Sequence, residues 1–330
     1  MGQGDPRGRP GSYLLYNTSM NLQTELAPQH KSGLLLRNPV MMAAGTFGYG
    51  VEYAKIAEIH RLGAIVCKGT TLLPRSGNEH PRTLETASGL LNAIGLQNPG
   101  VRAVLKKYAP IWAAWQTPVI VNIAGETIEE FVEVAERIEG VEGIAGIEVN
   151  VSCPNIRAGG AVFGADPRAV ADVTAVVRRA TTLPIIVKLS PNSGDARPTA
   201  VAAASSGADA ISLINTITGL GIDTRARRPI LAHGTGGLSG PAVKPIALRM
   251  VYEVACELRA SHPNVPVIGI GGIANAGDAL EFLMAGASAI QVGTINFVNP
   301  RAGVEIVEGI EAFLKREGVA SIEEIVGSAL

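Results

Sequence analysis

The feature that most constrains the fold is a short apolar, β-branched segment that recurs eight times and runs each time into a polar residue or a glycine. The eight segments are residues 40–44, 64–67, 119–121, 147–151, 185–187, 211–214, 267–270 and 289–292. Segments of this kind, separated by about 20 residues or more, are typical of parallel strands joined by crossover helices. Eight such units favour an α/β fold, a (β/α)₈ TIM barrel, because closure leaves no exposed sheet edge.

Helix signals fill most of the gaps between these segments. Asp166 followed by Pro167 predicts a helix start, with an N-cap and a proline in the first turn, and Ser239-Gly240-Pro241 predicts another. We also expect helices over residues 52–62, 127–139, 197–206, 277–285 and 300–317.

Two connections, residues 69–91 and 219–237, are longer than a simple crossover and are rich in Gly, Pro, Thr and Arg. Each follows the C-terminal end of a predicted strand, where barrel active sites are built. We therefore expect extended βα loops that form walls or lids over the C-terminal face of the barrel.

Composition bears on the number of domains and on the class of ligand. Residues of the AVILMFWYC set make up 47% of the chain and charged residues 17%, with 39 glycines, which suits a large buried parallel sheet with many tight turns. We expect a single barrel domain over residues 20–330, preceded by an unstructured N-terminal extension, residues 1–19. The 28 Lys and Arg nearly balance the 29 Asp and Glu, which speaks against nucleic acid or an anionic membrane as partner.

Apolar runs and cysteines bear on the compartment. The longest apolar runs have five to seven residues, far short of the roughly 20 that cross a bilayer, and residues 1–11 lack the apolar part of a secretory signal. Cys67, Cys153 and Cys256 are odd in number and far apart, which indicates a reducing compartment. They are also too few for an iron–sulfur cluster. We expect a cytoplasmic protein without a metal site.

Amide and ammonium side chains end five of the predicted strands. They are Lys68, Lys188, Asn122, Asn150 and Asn215. A lysine at the end of a buried run costs several kcal/mol unless its charge meets an anion or an electron-rich ligand. Either lysine alone could instead turn outward or pair with a carboxylate such as Glu148. The amides at equivalent positions favour a cup of hydrogen-bond donors for a flat ligand with several carbonyls and ring nitrogens.

Two glycine-containing pairs follow the last two strands, Gly271-Gly272 after the seventh and Gly293-Thr294 after the eighth. In many barrels these loops bind a phosphate through backbone N–H groups. Such pairs also occur as turns that bind nothing, but their position favours a phosphate. A phosphorylated planar cofactor such as FMN fits both the cup and the glycines.

Residues 150–155, Asn-Val-Ser-Cys-Pro-Asn, begin at the end of the fourth predicted strand and continue into the loop after it. A cysteine in such a loop can act as a general base, although only about 3% of an ordinary thiol is ionised at pH 7. A structural cysteine is the alternative. The flanking Asn150 and Asn155 and the rigid Pro154 favour Cys153 as the base.

The sequence resembles the class 1 dihydroorotate dehydrogenases and, within them, class 1B, whose members pass electrons to NAD through an iron–sulfur flavoprotein partner. The resemblance runs from about Leu34 to the C-terminus and is most specific in residues 44–50, 92–100, 150–155 and 236–241. The family pattern begins near Met20, so the first 19 residues depart from it.

The resemblance implies oxidation of (S)-dihydroorotate to orotate in de novo pyrimidine (UMP) biosynthesis. The residues implied to bind FMN are Thr46, Lys68, Gly69, Asn122, Asn150, Lys188, Ile214, Gly240, Gly271, Gly272, Gly293 and Thr294. Those implied to bind dihydroorotate are Lys68, Asn92, Ala93, Ile94, Gly95, Leu96, Asn150, Asn155, Asn215 and Thr216. Cys153 is implied to take the C5 proton while hydride leaves C6 for flavin N5.

The resemblance also implies one FMN per subunit, with FAD and [2Fe-2S] confined to a partner subunit. The implied assembly is a homodimer of this chain joined by two such partners into a heterotetramer. NAD as the final acceptor comes from the resemblance alone, and fumarate remains open. Two other functions are compatible with the sequence: an FMN-dependent dihydropyrimidine dehydrogenase type of reductase, and a phosphate-binding barrel without redox chemistry. Residues 92–100 favour orotate over uracil or thymine.

Overall fold

The computed structural model describes residues 20–152, the backbone of 154–155 and 161–162, and residues 163–330. The expectations about residues 1–19 and about Cys153 lie outside these residues. Eight parallel strands pair in chain order and close into a barrel. They are β1 Val40–Met42, β2 Ala64–Thr70, β3 Val119–Ile123, β4 Gly146–Asn150, β5 Ile185–Lys188, β6 Ala210–Leu213, β7 Val267–Ile270 and β8 Ala287–Val292. Each predicted segment supplies one strand, so the predicted (β/α)₈ barrel is confirmed.

Seven α-helices in the described part of the chain surround the barrel. They are α1 Val101–Trp112, α2 Ile128–Ile138, α3 Pro167–Ala180, α4 Arg197–Ser205, α5 Lys244–Ser261, α6 Ala276–Met284 and α7 Ala302–Glu317. The predicted start of α3 is confirmed, because the Asp166 side chain accepts a hydrogen bond from the Arg168 N–H at 3.0 Å. Pro241 begins a short 3₁₀ helix, Pro241–Val243, that leads directly into α5.

The helix predicted over residues 52–62 is wrong. The chain there forms successive turns and one 3₁₀ turn, Ile59–Arg61. Glu58 takes a left-handed backbone conformation with φ 44°, which an α-helix of L-residues does not tolerate. The Glu52 carboxylate accepts from the backbone N–H of Tyr49 and so stabilises the turn that precedes it.

The interior of the barrel has an apolar lower layer. It is filled by inward side chains from seven of the strands: Met41, Ala64, Val66, Ile120, Ile186, Ala210, Ile268 and Ala289. A hairpin of Thr24–Glu25 with Leu35–Leu36 precedes β1 and packs its apolar side chains, among them Leu26, into the same cluster. The N-terminal end of the barrel is therefore closed by hydrophobic packing.

The two long connections pair with each other. Their strands form one antiparallel sheet in the order Ile217–Leu220, Thr235–Ser239, Gly89–Asn92 and Thr83–Thr86. Leu91 and Leu231 are buried in a small cluster of their own within this sheet region. The expected wall is thus a second sheet shared by both connections. Within the second connection, Ile222–Asp223 pairs with Arg228–Pro229 in a separate two-stranded ribbon.

Two further short strands, Pro154–Asn155 and Ala161–Val162, pair antiparallel after β4. No helix within the described ranges is both long enough and apolar enough to span a bilayer.

Candidate active site

A buried polar layer lies directly above the apolar layer, and Glu148 on β4 is its centre. The Glu148 side chain is fully buried. Asn122 Nδ2 donates to its Oε1 at 2.7 Å, whereas Ser212 Oγ at 3.0 Å and Gln291 Nε2 at 2.6 Å donate to Oε2. Side chains from three other strands therefore converge on one carboxylate, and these bonds offset the cost of burying it.

Lys188, at the end of β5, also meets this carboxylate. Its Nζ lies 3.7 Å from Glu148 Oε1, and only 6% of the residue is exposed. Lys188 therefore pairs with a carboxylate, the alternative that its sequence position leaves open. Because Lys188 is the last residue of its strand, its ammonium lies between the buried layer and the C-terminal rim.

Lys68 differs from Lys188, because no ion pair to a carboxylate forms at its ammonium in the described structure. Partial burial lowers the pKa of Lys68 below its usual value, and the nearby Arg82 lowers it further. The next position, Gly69, packs against β3: a Cβ there would lie 3.1 Å from Asn122 Oδ1. Lys68 and Asn122 therefore belong to one part of the rim.

Cys67 immediately precedes Lys68 but lies in the large cluster between the strands and the helices. Burial raises the pKa of its thiol to about 12. A thiol with such a pKa holds its proton at neutral pH, so Cys67 cannot serve as a base.

Asn150 and Asn215 contact each other across the rim. Asn215 Nδ2 donates to Asn150 Oδ1 at 3.2 Å, and the same oxygen accepts from the Ser152 N–H at 3.1 Å. Asn215 Oδ1 accepts from the Thr216 N–H at 2.8 Å. Asn192, which the sequence did not single out, donates from Nδ2 to the Thr216 carbonyl at 3.0 Å. The structure thus brings three predicted substrate residues, Asn150, Asn215 and Thr216, together through hydrogen bonds.

The predicted substrate loop, residues 92–96, is held by internal hydrogen bonds. Buried Asn98 donates to the Leu96 carbonyl at 2.7 Å and accepts from the backbone N–H of Thr71 and of Gly100. Gly95 has φ 74°, and a Cβ there would lie 2.6 Å from Asn78 Oδ1, so only glycine fits. Leu96 Cδ2 would lie 3.4 Å from a Cβ at Gly69, which places this loop beside the end of β2.

The glycines after β7 and β8 leave backbone donors unused. Among the described residues, no protein acceptor receives the backbone N–H of Gly272, Gly293 or Thr294. A Cβ at Gly272 would lie 2.8 Å from the backbone N of Lys244, so glycine allows α5 to begin close to this turn. A Cβ at Gly293 would meet nothing closer than 3.6 Å, so packing does not require glycine there. Backbone donors at these positions suit an anion.

Other predicted cofactor residues lie around the same turns. Ile214 Cγ1 lies 3.3 Å from the position of a Cβ at Gly271, and a Cβ at Gly240 would lie 2.7 Å from Gly89 Cα. Thr294 Oγ1 donates to Ser239 Oγ at 2.8 Å. Asn296, which the sequence analysis missed, donates from Nδ2 to Thr46 Oγ1 at 3.4 Å, and its buried Oδ1 has no hydrogen-bond partner in the described structure.

Sequence reasoning missed Ser212, Gln291, Asn192 and Asn296, and it considered Glu148 only as a partner for lysine. A signal for the barrel residues existed: Glu148 precedes Asn150 by two positions and so lies on the same face of β4. Cys153 and the side chain of Asn155 lie outside the described residues.

The comparisons with known proteins agree with this geometry. The family model described as dihydroorotate dehydrogenase matches residues 27–314, most of the chain. The chain belongs to the dihydroorotate dehydrogenase family. A dehydrogenase family is at odds with the interpretation as a barrel without redox chemistry.

Curated relatives point to one branch of the family, and all bear the name dihydroorotate dehydrogenase B (NAD(+)), catalytic subunit. The chain is 52% identical to the relative from Geotalea uraniireducens over 299 residues, covering 91% of this chain and 96% of that one. The relative from Pelobacter propionicus is 54% identical over 90% of this chain and 96% of its own length. The relative from Caldicellulosiruptor bescii is 50% identical over 94% and 99%. The predicted class 1B resemblance is confirmed.

A solved structure supports the fold independently. The crystal structure of DHODH in complex with ferulenol from Eimeria tenella has a TM-score of 0.76 to this chain at 20% sequence identity. It covers 96% of this chain and 90% of its own. No group of three or more His, Cys, Asp or Glu side chains in the described part of the chain is arranged to hold a metal ion.

Proposed function

We propose that this chain oxidises (S)-dihydroorotate to orotate in pyrimidine biosynthesis, with FMN as its bound cofactor. The observation that carries the proposal is the rim itself. A buried carboxylate, a paired lysine and mutually bonded asparagines lie beside backbone donors that no protein group uses. The relatives' printed name supports the substrate and the link to NAD(+).

The donor set fits FMN. The N–H groups of Gly272, Gly293 and Thr294 would donate to the phosphate, with Thr46, Gly240, Gly271 and Ile214 lining the same side. Lys68, Gly69, Asn122, Asn150 and Lys188 would hold the ring, and the two lysines supply positive charge where the ring accumulates electrons. When bound, FMN supplies the acceptor for the hydride that leaves C6 of dihydroorotate.

The substrate residues supply matched polar groups. Dihydroorotate presents ring amides and a carboxylate, and Asn150, Asn155, Asn215 and Thr216 would pair with the amides. Residues 92–96 would close over the ring, and Lys68 would face the carboxylate. The hydrogen bond between Asn150 and Asn215 fixes the orientation of both amides. A pyrimidine that left their remaining polar groups unpaired would bind poorly.

Cys153 would remove the proton from C5, so that the C5–H electron pair forms the C5=C6 double bond as hydride leaves C6. Its support is position in the chain, since it directly follows Ser152 at the end of β4. The other cysteine adjoining a rim residue, Cys67, is excluded by its buried thiol.

We propose further that electrons reach NAD only through a partner subunit that carries FAD and [2Fe-2S], in a heterotetramer built on a homodimer of this chain in the cytoplasm. The words "catalytic subunit" in the relatives' name support a partner. An assay of the isolated chain therefore needs an artificial dye as acceptor.

The deciding experiment is stopped-flow reduction of bound flavin by dihydroorotate. Cys153→Ala should keep FMN and orotate binding while flavin reduction slows by roughly 10² to 10⁴, the usual contribution of a positioned base. Cys153→Ser should be nearly as slow at neutral pH. Cys256→Ala, which changes an exposed cysteine on α5, is the matched control and should behave as the parent.

A Cys153→Ala enzyme that reduces its flavin within about threefold of the parent rate would contradict the assignment of the base. A purified parent protein that binds no flavin would overturn the proposed function itself. Dihydrouracil, which lacks the carboxylate, should reduce the flavin far more slowly than dihydroorotate.

A further inference from the structure

The carboxylate of Glu148 contacts two of the side chains proposed to hold the flavin, Asn122 and Lys188. Asn122 is paired with Glu148 in the strand register, whereas Lys188 lies two residues beyond the register partner of Glu148 on β5. Its two oxygens have separate partners: Oε1 faces Asn122 and Lys188, and Oε2 faces Ser212 and Gln291. The Oε1 side is thus the side that reaches the rim residues.

Stability alone does not account for this carboxylate. Replacing a buried ion pair by apolar side chains of similar volume is often neutral or stabilising. The layer immediately below is built in that way, from Ile120, Ile186 and Ala210, for example, with no charge at all. The contacts of the Glu148 carboxylate with Asn122 and Lys188 indicate what its charge does.

We infer that Glu148 is a positioning residue for the flavin site, which fixes the amide of Asn122 and the ammonium of Lys188; this inference rests on the proposed function. An ionised carboxylate only accepts hydrogen bonds, so Asn122 must direct Nδ2 toward it. Asn122 Oδ1 is then the atom nearest Gly69, at the rim. The neighbouring carboxylate therefore sets the orientation of one predicted flavin contact.

The same carboxylate sets the charge of the site. Lys188 and Glu148 form a buried ion pair without net charge before any ligand arrives. Glu148 moderates the positive charge that Lys188 presents to the flavin. Removing the negative charge should therefore favour the reduced flavin, which carries more negative charge than the oxidised form.

The side chain of Gln291 can accommodate a neutral amide in place of the Glu148 carboxylate. Its Oε1 is buried and accepts no hydrogen bond in the described structure, while its Nε2 donates to Glu148. In Glu148→Gln the new amide NH₂ can occupy the Oε2 side, and Gln291 can turn its amide so that Oε1 accepts from it. This variant changes the charge and leaves the volume and the hydrogen-bond pattern nearly the same.

Three proteins are compared: the parent, Glu148→Gln and the control Asp209→Asn. Asp209 is also a paired carboxylate, bonded to Arg178 and to the Ile185 N–H, but it precedes β6 at the opposite end of the barrel. The dissociation constants of apoprotein for oxidised and for reduced FMN are measured by fluorescence and by dye equilibration. In Glu148→Gln the affinity for reduced FMN relative to that for oxidised FMN should rise on the order of tenfold. In Asp209→Asn this relative affinity should stay within about twofold of the parent.

The inference is overturned if the ratio of the two dissociation constants, for oxidised and for reduced FMN, is the same in Glu148→Gln as in the parent. A parent that binds no FMN overturns the proposed function instead. If Glu148→Gln does not fold, Glu148→Asp replaces it, because the shorter side chain keeps the charge and withdraws from Asn122. That variant should keep the parental ratio but bind oxidised FMN about tenfold more weakly, the value of one charge-assisted hydrogen bond. Parental affinity in Glu148→Asp contradicts the inference equally.

Discussion

The lower and upper layers of the barrel interior stand on the same strands but are two different environments. Along four strands the inward residue changes from apolar to polar over two positions: Ile120 to Asn122, Ile186 to Lys188, Ala210 to Ser212 and Ala289 to Gln291. Two residues keep the side chain on the same face and advance it by about 6–7 Å. Over this short distance hydrophobic packing gives way to a hydrogen-bonded charge, so we expect stability and ligand binding to depend on different layers.

The largest effect is expected from the lower layer. Ile268→Ala removes a fully buried side chain and should lower the free energy of unfolding by about 2–5 kcal/mol, because of the lost burial and the cavity. Chemical denaturation of the apoprotein measures it, with Ile268→Val, expected to cost about 0.5–1.5 kcal/mol, as the graded control. The folded fraction should bind FMN with parental affinity. A large loss of FMN affinity in this variant would show that the two layers are not separate.

The next effect comes from the upper layer. Lys188→Met removes the charged group proposed to face the flavin and should weaken FMN binding by roughly 10- to 100-fold, the range of a hydrogen bond to a charged group. Glu148 keeps three neutral donors in this variant, so the apoprotein should still fold. Titration of apoprotein with FMN gives the affinity, and Lys315→Met, at an exposed position on α7, is the control. Unchanged affinity would place the flavin elsewhere.

The smallest expected effect is a pH dependence of kcat/KM caused by Lys68, the rim lysine without an ion pair in the described structure. Because burial holds the pKa of Lys68 below its usual value of 10.5, the free enzyme loses this cation at a lower pH than an exposed lysine would. As pH rises through that lowered pKa, kcat/KM for dihydroorotate should fall by a few-fold before pH 10.5 is reached.

Lys68→Arg should move this decline to higher pH, because a guanidinium stays charged throughout the range. The pH profile of kcat/KM with a dye acceptor measures both proteins. The lowered pKa also affects the free energy of unfolding. The unfolded chain binds the Lys68 proton more tightly than the folded chain, so the contribution of Lys68 to stability increases as pH rises toward 10.5. If the decline of kcat/KM at high pH occurs at the same pH in Lys68→Arg as in the parent, another group causes it.

Many residues of the candidate site could be predicted because the strands of the barrel are parallel, so residues at their C-terminal ends lie at the same rim. Lys68, Asn122, Asn150, Lys188 and Asn215 lie in or just after the C-terminal part of five different strands, and closure of the barrel brings these strand ends to one rim. The predicted helix over residues 52–62 is wrong although the apolar residues there have helical spacing. Glu58 adopts a left-handed backbone conformation that the spacing does not reveal.

The sequence by itself determined the eight strands, their order and the rim they share, since apolar runs of strand length with polar ends leave few other folds open. Only the tertiary structure decided how the polar residues pair. The pairing of the two long connections into one sheet, and the convergence of Asn122, Ser212 and Gln291 on Glu148, join residues far apart in the chain. No local pattern encodes such contacts, because they arise when closure of the barrel sets the distance between strands.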